Sequence, residues 1–267
     1  QELIITLYAY IIVYSICLIC SQGSQLAYRY SATNKCDAQV PKKWCIFRYI
    51  VTLTTSSFVL IHVGITIQHS LSTFLFGVRV QKIASRISIL FSFFYPLSYG
   101  VLAYYKDEME GRIAYCSGFT EKSEGILMFN LYLILVLDIA NTVISILLWK
   151  YNKKKILTVE SYDLSRSFHR RQNLYAMKQI LPIATLHSVF YVIFFLTVFF
   201  SQSLRSNMSP AWYMFTSVVA NAVPYYSLLC PLIFLLLIRR GRFKRVSHVH
   251  TMVNPVRKVD EVGYSKL

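Results

Sequence analysis

The sequence predicts an all-α fold, a polytopic membrane helix bundle, and three observations carry that expectation. Six apolar runs, at about 3–20, 46–68, 87–105, 126–149, 179–200 and 212–238, punctuate the 267 residues. Each is ~18 residues or longer, enough at ~1.5 Å per helical residue to cross a hydrocarbon core ~30 Å thick. Of the twelve acidic residues only Asp138 falls well inside a run, and no Lys or Arg does, Arg48 standing at the edge of its segment. A soluble helical protein would carry charge along one face of each helix, whereas these runs are apolar all round. Finally, basic residues alternate in density from loop to loop.

That alternation predicts orientation. Segments 69–86, 150–178 and the tail from Arg239 carry 3, 8 and 8 Lys/Arg, against 5, 3 and 1 in 21–48, 106–125 and 201–211. Positive charge is retained on the cytosolic side, so the first set and the C-terminus are expected there. The net charge of +16 then marks topology and attraction to anionic headgroups of the lipid bilayer, with no nucleic acid as partner. The expected division is a transmembrane bundle over residues 1–245 and a short polar cytosolic tail over 246–267. Six spans place both chain ends on one side, and the first run begins within a few residues of Gln1. One further helix upstream is expected, which makes a seven-span topology with the N-terminus outside.

The first span carries Cys17 and Cys20, and the last Cys230; all three read as small apolar packing residues. Cys36, Cys45 and Cys116 fall on the oxidising side, where disulfides persist. A Cys45–Cys116 bridge would tie an outer loop over the mouth of the bundle, with Cys36–Cys116 and Cys36–Cys45 as rival pairings. No second thiolate pair or histidine pair stands near them, so a metal site is not expected. In the second span His62, and in the fifth His187, are expected as hydrogen-bonded interior histidines. Asp138 sits mid-span in the fourth run with Asn141 and Thr142 close behind. A carboxylate at that depth is costly, so it should face the interior and find a partner, as part of a conformational switch network or, second, as a ligand contact. A proton relay needs several ionisable groups in series, and only Asp138, His62 and His187 are available. Pro96, Pro182, and Asn221 with Pro224 and Pro231, predict kinks with freed carbonyls in the third, fifth and last spans. Kinked helices around a polar cluster suit a bundle with two packings.

Aromatic residues gather near the outer ends (Tyr104, Tyr105, Phe199, Phe200, Trp212, Tyr213), where interfacial anchoring accounts for them. Asn207-Met208-Ser209 is a glycosylation sequon, but Pro210 follows it and the membrane resumes near Trp212, so an unmodified asparagine is the better reading. On the cytosolic side, Leu164–Lys178 places Arg166, Arg170, Arg171 and Lys178 among apolar residues and is expected to extend the fifth span as a helix. Arg239–Arg245 is a second basic run at the membrane edge, with Phe243 able to dip into the interface. No phosphate loop, His-Glu-x-x-His pair or nucleophile elbow occurs, so no enzyme and no cofactor is expected.

The stretch Leu164-Ser-Arg-Ser-Phe-His-Arg-Arg-Gln-Asn173 resembles the Leu-Ser-x-Arg-(Phe/Tyr)-Gln-x-x-Glu-Asn signature of nematode serpentine chemoreceptors of the Sra superfamily, class alpha or the related class alpha/beta. The spacing Cys36-x8-Cys45 with Arg48 after it, and Pro224-Tyr-Tyr-Ser-Leu-Leu-Cys-Pro231, are similar to that family's outer loop and final helix. The resemblance implies a seven-helix, G-protein-coupled-type receptor of sensory neurons, with the six visible runs as its second to seventh helices. It further implies a small-molecule ligand, a heterotrimeric G protein as partner and a plasma or ciliary membrane location. The chain departs from the family where Gln68-His69 stands in place of Glu-Arg, and where Ser167 and Gln172 replace Arg and Glu, so an ionic lock built on those charges is not expected. Asp138, Asn141, His62, His187 and Asn221 are then the candidate ligand and switch residues, and Arg166, Arg170, Arg171 and Lys178 the candidate transducer face. The competing reading is a six-span small-solute transporter or channel subunit.

Overall fold

A computed structural model describes residues 2–33, 39–74, 77–105, 110–113, 116, 122–158, 164–204, 208–209, 212, 224–237 and 239, with only the backbone described for 156–158 and 164–171. The chain divides into two compact units, Gln1–Ser227 and Leu228–Leu267. The first holds α1 (Glu2–Ser31), α2 (Ile46–Thr73), α3 (Val78–Tyr104), α4 (Glu124–Thr158) and α5 (Leu164–Ser203). All five are long and apolar enough to cross a membrane. The sixth run yields α6 (Pro224–Leu237), a shorter apolar helix whose last ten residues are the described helix of the second unit. The architecture is a polytopic membrane helix bundle.

The helices outrun the apolar stretches. α1 continues eleven residues past position 20, α4 runs through the lysine cluster to Thr158, and α5 begins at Leu164, fifteen residues before its apolar run. Hydropathy marks only the part of a helix that lies in hydrocarbon; Lys, Gln, Arg and Met are strong helix formers and let a helix continue into the polar region. α3 and α5 both pass through their prolines, Pro96 and Pro182, as single helices.

α2 stands at the centre, touching α1, α3, α4 and α5. Nine consecutive residues, Thr54 to His62, are buried, more than two full turns with no face left for lipid. In its most apolar stretch 72% of residues are buried, against 28–33% in the other four long helices. Their outward faces carry the large apolar side chains that meet acyl chains, such as Ile87, Phe94 and Val101 on α3 and Phe129, Val136 and Leu147 on α4.

Without a hydrophobic drive between helices in lipid, close approach of small residues and interhelical hydrogen bonds hold the bundle. α2 and α3 show the first. A Cβ on Gly64 would lie 2.7 Å from Ser88 Cβ, and one on Gly100 would lie 2.6 Å from Leu53 Cδ1. Hydroxyls along α2 return to their own helix, as in Thr55 to the Val51 carbonyl (3.0 Å) and Ser70 to the Thr66 carbonyl (2.8 Å), so small polar residues line it without orphan donors.

One end of the bundle is capped. A disulfide joins Cys45 to Cys116, with Cα atoms 5.2 Å apart. Beside it a two-residue ladder pairs β1 (Val40–Pro41) antiparallel to β2 (Arg112–Ile113), Val40 opposite Ile113. Two residues are too few for hydropathy to signal a strand. Gly111, at φ 89°, takes the left-handed turn that lets its carbonyl accept from Lys42 N–H at 3.0 Å. Beneath lie Tyr49 and Tyr104, stacked with centroids 3.9 Å apart, packed with Val40, Ala103 and Leu127. Tyr104, expected as a belt residue, is instead buried in this cap, because the covering loop turns the end of α3 into interior; Tyr105, Phe200 and Trp212 remain exposed as belt residues should. Cys17, Cys20 and Cys230 are free thiols. Cys36, Asn207 and the tail 246–267 lie outside the described residues.

Replacing Gly64 or Gly100 by Leu should push α2 and α3 apart and cost about 1–3 kcal/mol each, read as lost folded yield, while Gly125→Ala, with nothing within 4 Å, stays near wild type. Cys45→Ser and Cys116→Ser should each lower stability by roughly 4 kcal/mol, the entropy released from a 71-residue separation, with equal loss of surface expression in the double variant.

Candidate functional site

The candidate site is a polar column on the inner face of α2, built from residues the helical period stacks together. Along α4, Asp138, Ser145 and Asn152 recur every seven residues, and along α2 His62, Thr66, His69 and Thr73 recur at four and three, so each set lies on one face. Facing each other across the two helices, these stripes form three tiers.

At mid-depth His187 Nδ1 on α5 meets Asp138 Oδ1 on α4 at 3.1 Å, with the side chains 4% and 1% exposed. His62 Nε2 on α2 shares a hydrogen bond of 3.0 Å with the Tyr226 hydroxyl on α6. The two imidazoles lie 4.8 Å apart, and Tyr226 sets its ring edge-on to His187 at 4.8 Å. Phe58, tilted against Tyr14 of α1 at 5.6 Å, and Tyr191, near-parallel to His187 at 5.8 Å, close the cluster with aromatic walls. Five helices therefore meet at one carboxylate, two imidazoles and a phenol. A carboxylate in hydrocarbon persists only with such partners.

One tier nearer the uncapped end, Thr66 and Ser145 share a hydrogen bond of 2.8 Å between α2 and α4. Around them a cavity of ≈ 20 Å³, lined by His62, His69, Met177 and Leu181 among others, has room for about one water. At the uncapped end, His69 Nδ1 lies 2.8 Å from Asn173 Oδ1 on α5. Asn173 Nδ2 donates to Thr73 Oγ1 at 2.9 Å, and Asn152 Nδ2 on α4 donates to the same hydroxyl at 2.7 Å. Thus α2, α4 and α5 are tied together by neutral groups, where Gln68-His69 stands in place of a charged pair. Toward the cap, Asn130 Nδ2 donates to Ser56 Oγ at 3.0 Å and its carbonyl accepts from the Tyr95 hydroxyl at 2.9 Å, linking α2, α3 and α4.

Of the residues singled out from the sequence, the structure unites Asp138, His62 and His187. Asn141 is buried one turn from Asp138, and its Nδ2 has no hydrogen-bond partner among the described residues. Asn221 lies outside the described residues. Arg166, Arg170 and Arg171 lie in the first two turns of α5, with only their backbone described, and Lys178 is exposed two turns on. Tyr14, Phe58, Thr66, Thr73, Ser145, Asn152, Asn173 and Tyr226 were not singled out as site residues. The seven-residue polar stripe on α4, Asp138, Ser145 and Asn152, is the signal that could have found two of them. Among the described residues no group of His, Cys, Asp and Glu could hold a metal.

His187→Phe strips the buried carboxylate of its partner and should destabilise the bundle by about 3 kcal/mol or more, whereas Asp138→Leu with His187→Phe should regain most of that loss. Thermal melting of the purified single and double variants checks the sign of this coupling.

A profile described as "Serpentine type 7TM GPCR chemoreceptor Sra" matches residues 2–264. Serpentine receptor class alpha-8 of Caenorhabditis elegans is 25% identical over 211 residues, covering 78% of this chain and 64% of its own length. Serpentine receptor class alpha-4 of the same nematode is 23% identical over 203 residues, covering 74% of this chain and 60% of its own. The chain thus spans a little under two thirds of these relatives. A central buried helix tied by a cystine to its capping loop, a mid-membrane polar cluster and a match over nearly the whole chain agree: the protein belongs to the Sra family of serpentine seven-transmembrane chemoreceptors.

Proposed function

We propose that the protein is a chemosensory receptor which detects a small molecule from the capped, extracellular end and signals to a heterotrimeric G protein at the opposite, cytosolic end. The observation that carries this reading is the polar column on α2. It runs from the Asp138–His187–His62–Tyr226 cluster through Thr66–Ser145 to His69, Asn173, Thr73 and Asn152. A ligand that favours one packing of α5 against α2 acts on both ends of that column, because hydrogen bonds between stiff helices are made or broken rather than stretched. Asp138, His62, His187, Asn141 and Asn221 are assigned to the switch. Arg166, Arg170, Arg171 and Lys178 are assigned to the transducer face, on a helix that projects beyond the bilayer.

The positive-inside bias supports a cytosolic C-terminus and a bundle over 1–245 with a tail over 246–267. The family supports the plasma or ciliary membrane of a sensory neuron as the location.

Changing Arg166, Arg170, Arg171 and Lys178 together to Gln should cut agonist-evoked calcium or cyclic-nucleotide signals by tenfold or more, since charge-assisted hydrogen bonds contribute ~1.5–3 kcal/mol each. Agonist binding to the same variant should stay near wild type. Solute flux in a host that lacks G proteins would refute the receptor reading.

A further inference from the structure

A second set of buried polar groups lies at the capped end, away from the Asp138 cluster. α1 runs antiparallel to α2: Leu3 packs beside Gly64, Tyr14 contacts Phe58, and the far end of α1 reaches the Lys42–Cys45 turn that carries the disulfide. That register brings Ser21 and Gln25 level with the first turns of α2, where Arg48 stands one turn after Cys45. Tyr14, Ser21 and Gln25 recur at seven and four residues, on the buried face of α1. Ser21 is 1% and Gln25 8% exposed.

The Tyr14 hydroxyl, Ser21 Oγ, Gln25 Nε2, and Arg48 Nε and Nη1 are all shielded from solvent and have no hydrogen-bond partner among the described residues. All five are donors, and two of them belong to the Arg48 guanidinium. Asp138 is no counter-ion for Arg48: Asp138 is held by His187, which lies beside His62, and His62 lies fourteen residues, ~21 Å of helix, below Arg48. Burying a charged group and several amide and hydroxyl donors without acceptors is costly, and such costs persist where a ligand removes them.

We propose that Arg48, Gln25 and Ser21 form the anion-binding part of the ligand site, and that the cue is a small organic carboxylate. The guanidinium takes both carboxylate oxygens side by side, Gln25 and Ser21 donate to their remaining lone pairs, and the apolar part of the molecule lies on Tyr14 and Phe58. Because Phe58 also contacts His187 and Tyr226, occupancy of this site bears directly on the mid-membrane cluster. This inference rests on the proposed entry of the ligand from the capped end.

The test is thermal melting of the purified full-length protein with monocarboxylates from acetate to decanoate and 3-phenylpropionate, each beside its primary amide. At least one carboxylate should raise Tm while its amide does not, and Arg48→Gln should weaken that carboxylate roughly 10- to 100-fold, the worth of a charge-assisted contact. Gln25→Glu supplies an internal carboxylate, so it should raise the Tm of the ligand-free protein and abolish the response. Equal shifts from acids and amides, equal shifts from chloride or nitrate alone, or no shift across the series would each overturn the proposal. So would a Gln25→Glu protein with unchanged Tm and unchanged response. Binding is read here without a transducer, so failure would leave the G-protein assay to decide the receptor reading independently.

Discussion

The structure depends on the complete enclosure of α2. A helix at the rim of a membrane bundle satisfies its outward face with acyl chains at no cost, but α2 has no outward face over Thr54–His62. Every side chain there must fit a neighbouring helix. Small residues answer this on one side, where Gly64 and Gly100 let α2 and α3 close to contact. Hydroxyls, amides and imidazoles answer it on the other, where Ser56, Thr66, His69 and Thr73 find partners on α4 or α5. In hydrocarbon such a group has no water to fall back on, so the column of hydrogen bonds specifies the register of α4 and α5 against α2.

That dual arrangement separates rigid from movable contacts. The α2–α3 seam is steric, and its small-residue packing resists any shift larger than a fraction of an ångström. The α2–α5 seam is held at mid-depth by the Asp138–His187 pair beside His62, and at the uncapped end by His69 and Asn173. The neutral hydrogen bonds of the uncapped end carry modest energies, on the order of 1 kcal/mol each, whereas the Asp138–His187 pair costs more to break because its loss strands a buried carboxylate. The replacement of a charged pair by Gln68-His69 fits the same scale. A tie made by His69, Thr73, Asn152 and Asn173 is distributed over three helices and weaker per contact than a buried ion pair whose separation leaves two stranded charges.

Much of this was legible in the residues. The apolar runs marked the spans, the lone Asp138 marked the depth that needed a partner, and Leu164–Asn173 marked the family. Asp138, His62 and His187 were each recognised as interior polar groups, yet nothing in the chain said they would share one cluster. Asn152 sits in a stretch whose lysines read as loop, which hid it, although Asp138, Ser145 and Asn152 lie seven apart and Thr66 and Thr73 do likewise; Asn173 lay in the expected helix among arginines assigned to a transducer face. Tyr104 read as a belt aromatic because nothing local reveals that a loop is folded over it.

By itself, then, the sequence determined that the chain crosses a membrane as helices, that basic charge is denser in alternate loops, and which side chains are too polar to face lipid. These are properties of composition and period, and each is a sum over neighbours in the chain. Only the tertiary structure decided that α2 is the enclosed helix, that Cys45 pairs with Cys116, and that one oxygen of Asp138 is answered by His187 while Arg48 Nε and Nη1, Gln25 Nε2 and Ser21 Oγ have no hydrogen-bond partner among the described residues. Those outcomes depend on distances between segments tens of residues apart, and lateral packing in lipid is chosen by shape and hydrogen bonding rather than by hydrophobicity, which all the spans share.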